Sequence, residues 1–585
     1  MKPVQGGTKL TQVATDEDQA LATNAAVFLS ALEDRGVDYL FINAGTDWAP
    51  IVEALTIARE QGRAVPELIA VPHENTAMAV AHGYYLVTGR PQAVGVHNNV
   101  GTANALCGLM NAARDNVPTL LVAGRTPYTE SGSIASREVV VHWAQENFDQ
   151  AGMVREQVKW DYELKSGQDT TEVIDRALDI AMSAPRGPVY LTMPREVLVE
   201  MPRVKNIVQR RRSFGAVDAQ PDSDAIRQLA GWILAADMPM IITSVAGRQP
   251  QNVETLADLA AGFAIPVIQY FPRCLNLPSE HPMHMGYQPN DLLASSDLVI
   301  VIDCEVPWIR RDIKIGLATR VVHLGFDPIY STYPLRSFAD DLSITGASSS
   351  ALSMLQESLD EMLTKPYEAD IAARKSRVAT AREKLKAQRD IARTNANQEI
   401  PISPVWIASV LDSLIDENTI VVNETGLCLE QLNLRVPGSL FIAPSVGGLG
   451  WSLGAALGVK MGAPDKTVIV LLGDGSYMFG NPTPCHFLSA AQDLPILIIV
   501  ANNAGWKAVD RAVRAVYPDG RAVQSGETMP LVDLKPSPAF EKIVEASGGY
   551  GERVEAPSEL LEALERALHA VRVEKRQALL NVISQ

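Results

Sequence analysis

The sequence predicts an α/β protein built from three doubly wound parallel-sheet domains. Three observations carry that expectation. Short β-branched runs ending in Gly, Asn or Asp are each followed by a helix-favouring stretch, the pattern of parallel strands with crossover helices. The pattern recurs along all 585 residues, a length suited to three large domains. The runs also fall into three blocks, separated by a basic stretch and by a long polar one.

The first block is expected over residues 18–202, with strands at Tyr39–Ala44, Ala93–His97, Thr119–Ala123 and Pro188–Met193, and it closes ahead of the basic connector KNIVQRRR. The second, over 215–370, holds the runs MIITSVAG, IPVIQY, DLVIVID and RVVHLGF. The polar segment ARKSRVATAREKLKAQRD then reads as a linker helix on a solvated face. The third block, over 395–585, holds TIVVNE, SLFIAP, TVIVLLGDG, ILIIVANN and the terminal ALLNVIS.

Composition narrows the function. With 47% hydrophobic and 20% charged residues and a mean hydropathy of +0.03, each block can bury a core. The 51 Lys and Arg face 68 Asp and Glu, a formal charge of −17, which argues against nucleic-acid and anionic-membrane partners. Five scattered cysteines form no CxxC pair, which disfavours disulfides and structural zinc and points to a reducing, cytoplasmic home. The first twenty residues carry no apolar signal-like core, and no run of about 18 apolar residues suggests a membrane span.

Two motifs carry chemistry in the third block. The apolar strand from Thr467 runs into Gly473-Asp474-Gly475-Ser476, and the next strand ends in Asn502-Asn503. Ligands of open parallel sheets sit at the carboxyl ends of strands, so the two polar ends converge. A carboxylate, an amide oxygen and a backbone carbonyl are hard oxygen ligands that leave positions free for phosphate oxygens, as Mg²⁺ requires. Upstream, Gly448-Leu449-Gly450-Trp451-Ser452-Leu453-Gly454 opens a helix, Asp474 lies 20 residues beyond Gly454, and the run imitates a dinucleotide fingerprint. Its spacing is GxGxxxG, however, and a ribose-binding Asp needs neither flanking glycines nor an Asn pair.

In the first block His73-Glu74 opens a helix whose apolar residues Ala77, Val80, Ala81, Tyr84 and Tyr85 fall on one face, with Glu74 on that face too. Glu74 therefore either caps its own helix or meets a partner in the interior. The strand AVGVH then delivers His97-Asn98-Asn99 and Gly101-Thr102-Ala103-Asn104 into a helix, a polar cluster that reads as a pocket.

The order HEN…GY, HNNVGTANA, RGPVYLTMPREV, GGLGWSLGAALG, GDGS…NN resembles the thiamine diphosphate enzymes of the acetolactate synthase, pyruvate oxidase and benzoylformate decarboxylase superfamily, over nearly the whole chain. The resemblance implies a pyrimidine-binding first domain, a middle domain and a diphosphate-binding third domain. It also implies active sites shared between subunits, with a homodimer as the minimum and a homotetramer common, and thiamine diphosphate and Mg²⁺ as cofactors. By the same resemblance Glu74 contacts the aminopyrimidine ring, Leu449 is the apolar wedge under the cofactor, and the backbone of Gly447 lies near the amino group. Asp474, Asn503 and the carbonyl of Gly505 are the implied metal ligands. Gly473, Gly475 and Ser476 border the diphosphate, and Glu424 joins the cofactor-binding set. The GDG-to-NN spacing is about two residues longer than in the family, which leaves open which Asn of the pair ligates. His97 stands where benzoylformate decarboxylase-like enzymes carry a catalytic histidine, or else only holds its turn in shape. Thr46, in INAGTDW, matches a loop that contacts the substrate carboxylate in relatives, or is a plain turn residue.

These assignments imply a non-oxidative 2-oxo acid decarboxylase able to form 2-hydroxy ketones. The alternatives are an acetolactate synthase-like carboligase carrying FAD in the middle domain, where ITSVAGRQ is too generic to decide, and an inactive regulatory homologue. Arg310 and Arg311, where relatives place a second histidine, read as surface residues, and His142 and His486 have no partner that the sequence identifies.

Overall fold

The computed structural model describes residues 23–202, 214–526 and 529–585; the expected start of the first block at 18–22 and the connector KNIVQRRR lie outside the described residues. The chain forms three parallel α/β sheets. The first contains β1 (Tyr39–Ile42), β2 (Glu67–Ala70), β3 (Gln92–Val96), β4 (Thr119–Arg125), β5 (Asp161–Glu163) and β6 (Val189–Pro194), in the order β2-β1-β3-β4-β6-β5. The second contains β7 (Pro239–Thr243), β8 (Val267–Gln269), β9 (Leu298–Ile302), β10 (Arg320–Gly325) and β11 (Leu342–Thr345), in the order β11-β10-β9-β7-β8. The third contains β12 (Thr419–Asn423), β13 (Leu440–Ile442), β14 (Thr467–Gly473), β15 (Leu497–Asn502), β16 (Tyr550–Val554) and β17 (Ala578–Ile583). Its order, β13-β12-β14-β15-β17-β16, repeats the topology of the first sheet.

The long apolar runs of the sequence all became strands, the central ones buried along their whole length, as expected where helices cover both faces. The strands that the runs did not announce are β2, β5, β11 and β16, and every one lies at a sheet edge. Each is half exposed, so its sequence (ELIA, DYE, LSIT, YGERV) mixes polar and apolar residues.

The polar segment forms part of one 32-residue helix, Lys365–Ala396. It is more than a linker. Tyr367, Ile371, Val378 and Ala381 pack on the middle-domain core, and the buried Arg374 donates to the carbonyls of Ile233 and Phe263 at 3.3 and 3.4 Å. Among the described residues no helix is long and apolar enough to cross a membrane.

The first and third domains share one hydrophobic core. Its centre is a crossing of helix Glu74–Thr88 with helix Trp451–Gly462, where small residues bring backbone against backbone. A methyl group at Gly83 would fall 2.0 Å from the carbonyl oxygen of Ala455, and one at Gly458 would fall 2.0 Å from that of Val80. The middle domain is tied in by charge. Buried Asp115, at the end of helix Asn98–Arg114, meets His82 at 2.9 Å and pairs with Arg248 and Arg273. Burial would raise its pKa, but Arg248, His82 and Arg273 together hold it well below the usual carboxylate range. Arg273 also pairs with Glu305, which accepts from the Ser445 hydroxyl at 2.7 Å.

Gly458→Ala should therefore lower stability by about 1–3 kcal/mol, because backbone on both sides cannot yield. Gly262→Ala, at a helical position open to solvent with no atom within 4 Å of the added methyl, should instead raise it by roughly 0.5–1 kcal/mol. Thermal melts of the two variants beside the parent check the opposite signs.

Candidate active site

Adjacent strands deliver the first-domain residues. Because β2, β1 and β3 are neighbours in parallel register, their carboxyl ends place Glu74, then Asn43, Thr46 and Asp47, then His97, along one rim. Glu74 does not cap its own helix. It is 7% exposed, one carboxylate oxygen accepts from the Asn43 amide at 2.9 Å, and the other accepts from the Asn104 amide. Gly101 allows this approach, since a methyl there would sit 3.2 Å from the Glu74 Oε1.

The His97 Nδ1 lies 2.6 Å from Oδ1 of Asp47, and its Nε2 lies 3.0 Å from the Gln145 amide nitrogen. The hydrogen bond to Asp47 raises the pKa of His97 above its ordinary value, with partial burial opposing it. Thr46 is exposed, and its hydroxyl meets the His142 Nε2 at 3.2 Å. Burial and then nearby Arg195 lower the pKa of His142, whose Nδ1 accepts from the Glu138 N–H at 3.3 Å.

The third-domain half is assembled at the ends of β14 and β15. Asp474, 2% exposed, opens the short helix Asp474–Phe479, and its carboxylate accepts from the Gly505 N–H at 3.2 Å. Burial raises its pKa, and backbone N–H groups around it limit the rise. The two asparagines differ sharply. Asn502 is spent internally: its amide donates to Ser537 and Asn581 at 2.9 Å each, and its oxygen accepts from the Ala504 N–H at 3.0 Å. The buried side-chain oxygen of Asn503 has no partner. An ionisable carboxylate beside an orphaned amide oxygen is a donor set that suits a hard divalent cation.

Around this pair, Gly473 donates its N–H to the Thr425 hydroxyl at 3.1 Å, Ser476 is buried, and the Trp506 ring lies against Gly475, where a methyl would fall 2.5 Å from it. Gly447 is exposed with φ +74°, and Leu449 is half-buried. Glu424 is buried beside this pair. Its carboxylate accepts from the N–H groups of Gly450 and Ser452 and from the Ser452 hydroxyl at 2.6–2.8 Å, capping helix Trp451–Gly462.

The sequence had not singled out Asp47 or Gln145, and it offered no partner for His142, which meets Thr46. Asp47 was visible as an acid beside Thr46, but its partner is 50 residues away on a neighbouring strand end; Gln145 lies in an irregular segment with no local signal. His486, partnerless in the sequence, bonds Tyr477 at 2.6 Å and Gln577 at 2.7 Å in the core. Arg310 is exposed, and Arg311 pairs with its neighbour Asp312 at the surface. A cavity of about 860 Å³ lies apart from both halves, where the middle domain meets the other two beside Arg248, Asp303 and Tyr330.

Residues 22–153 match the family of the thiamine pyrophosphate enzyme N-terminal TPP binding domain, and residues 425–582 match that of the C-terminal TPP binding domain. The chain belongs to the thiamine diphosphate-dependent enzymes. Among these, it is 24% identical over 574 residues to a probable acetolactate synthase large subunit of Methanococcus aeolicus, covering 93% of this chain and 90% of that one. It is 25% identical over 499 residues to the benzoylformate decarboxylase of Pseudomonas aeruginosa, covering 82% and 85%. The solved thiamine diphosphate-dependent 4-hydroxybenzoylformate decarboxylase of Rhodococcus jostii RHA1 shares the fold, with a TM-score of 0.76 at 22% identity over 96% of this chain and 99% of that one. The two matched domains indicate thiamine diphosphate as the cofactor of this enzyme.

The asparagine pair yields a structural prediction. Asn502→Ala breaks a buried network and should cost about 1–3 kcal/mol of stability, whereas Asn503→Ala, which removes an unpartnered oxygen, should leave the melting temperature of the metal-free protein unchanged or raised. Differential scanning calorimetry of the two variants without added Mg²⁺ reads the contrast.

Proposed function

We propose that this enzyme is a Mg²⁺-dependent, non-oxidative 2-oxo acid decarboxylase able to join the resulting fragment to a second carbonyl compound as a 2-hydroxy ketone. The observation that carries the reading is His97, an imidazole held by a buried acid on the same rim as Glu74. Bound thiamine diphosphate would supply a carbon nucleophile for the substrate carbonyl and hold the electrons released when the carbon–carbon bond breaks.

The chain's own residues do the rest. Asp474, Asn503 and the Gly505 carbonyl would hold the metal, and Gly473, Gly475 and Ser476 would border the diphosphate. Leu449 would support the cofactor from below, with the Gly447 backbone beside its amino group. Glu74, held by two neutral amides and by no arginine among its hydrogen bonds, can pass a proton to and from the aminopyrimidine ring. His97 would give or take a proton at the substrate through Nε2, and Thr46 would hold the substrate carboxylate.

All hydrogen bonds recorded for Glu74 stay within the first domain, and those of Asp474 within the third. Exposed apolar residues flank both halves: Ile134, Val140, Trp143 and Phe148 on the first domain, Val509, Val516, Tyr517 and Leu531 on the third. This supports a site completed between two copies of the chain, in a homodimer or homotetramer. A second reading, an acetolactate synthase-like carboligase with FAD, is favoured by the size of the cavity beside the middle domain. Visible flavin absorption of the purified protein separates the two.

Two outcomes are expected. Calorimetric titration should show thiamine diphosphate binding in the presence of Mg²⁺, its loss after chelation, and its return on adding the metal back, because metal and diphosphate share one site. Undiminished binding in chelated protein would contradict the assigned donor set. In a screen of 2-oxo acids that includes pyruvate and benzoylformate, the loaded enzyme should release an aldehyde, and Glu74→Gln should lower that turnover by roughly 10²-fold or more with the fold retained. Aldehyde release from none of them would overturn the decarboxylase reading.

A further inference from the structure

The environment of His97 contains more than a hydrogen bond. Asp47 is 2% exposed and both of its oxygens are committed, Oδ1 to the His97 Nδ1 at 2.6 Å and Oδ2 to the Asn98 N–H at 3.3 Å. A slot without side chains surrounds the pair. A methyl group at Gly124, on β4, would fall 1.5 Å from the Asp47 Oδ2, and one at Gly45 would fall 2.1 Å from the His97 Nδ1. Gly45 has φ −118°, which any residue can adopt, so space and not backbone freedom accounts for glycine there. Two neighbouring segments thus forgo side chains where the acid and the imidazole meet, and an ionised carboxylate can only accept, so the proton on Nδ1 is dictated.

We propose that Asp47 is a positioning residue that fixes His97 as the Nδ1–H tautomer and so turns the lone pair of Nε2 outward as the face that exchanges protons. The arrangement has the logic of a buried acid orienting a histidine base, reached here by parallel strand ends. The Gln145 amide nitrogen meets Nε2 at 3.0 Å and marks the direction in which that face points, and the His97 side chain is 22% exposed there. The charged and titratable groups around the imidazole are Asp47 from the turn after β1, Glu74 from the helix after β2, and His142, which reaches the site through Thr46. With Asp47 in place the imidazolium is stabilised, so loss of its charge should let His97 give up its proton at lower pH.

The inference rests on the proposed decarboxylase reading for its consequence but not for its geometry, and the test keeps the two apart. The full-length enzyme, labelled with ¹⁵N in its histidines and loaded with Mg²⁺ and thiamine diphosphate, is examined by long-range ¹H–¹⁵N correlation, with His97→Ala assigning the signal. The expected result is an Nδ1–H tautomer for the neutral ring, with a protonation midpoint that moves to lower pH in Asp47→Asn. Gly124→Ala, which drives a methyl into the carboxylate, should move the midpoint in the same direction and serves if Asp47→Asn does not fold. An Nε2–H tautomer in the parent enzyme, or a midpoint unmoved in the folded variants, overturns the proposal. Where a 2-oxo acid is cleaved, Asp47→Asn should lower its turnover by roughly 10-fold or more, shift the same limb of the pH profile to lower pH, and add little in a His97→Ala background. An intact tautomer together with no cleavage of any 2-oxo acid defeats the decarboxylase reading alone.

Discussion

The crossing of helices Glu74–Thr88 and Trp451–Gly462 is the contact on which the rest of the molecule depends. Gly83, Gly454 and Gly458 remove the side chains that would hold the two backbones apart, and the first and third sheets gain a common core in return. The same crossing fixes where the proposed cofactor-binding residues begin. One helix begins at Glu74, and the other begins just after the loop that carries Gly447 and Leu449, with Glu424 satisfying its first N–H groups. Both starting points are therefore fixed by a rigid packing seam, where a shift of one element would move both.

The buried acids fall into two kinds, and their partners separate them. Asp115 and Glu305 are paired with arginines that join the middle domain to its neighbours, and their pKa values are held down. Such groups stay ionised and act as fasteners, and removing one partner would leave a buried charge unpaired. Glu74, Asp47 and Asp474 are held by amides, backbone N–H groups or an imidazole instead. Glu74 and Asp474 have no arginine among those partners, whereas Asp47 has both oxygens committed to His97 and Asn98.

Relatives at 22–25% identity span acetolactate synthases and decarboxylases alike, so distance in sequence does not choose between those reactions. On the first-domain rim Asp47, His97 and Gln145 are joined by hydrogen bonds, as are Thr46 and His142, and the proposed decarboxylase reading rests on this group.

By itself the sequence determined whatever depends on neighbours along the chain. The central strands were legible because burial on both faces demands an uninterrupted apolar run, and the strand-end motifs because Gly, Asp and Asn must follow such runs where the backbone turns. The edge strands β2, β5, β11 and β16 were not, since half-exposed segments carry no such demand. Tertiary structure alone decided which distant groups meet. It gave Asn502 to Asn581 and Ser537 and left Asn503 without a partner, turned Glu424 toward a helix end, kept Glu74 from capping its own helix, and brought Asp47 to His97 across two adjacent strands. The reason is the same in each case: a side chain's hydrogen bonds are settled by the groups that the fold brings within about 3 Å, and those groups lie tens of residues away in sequence.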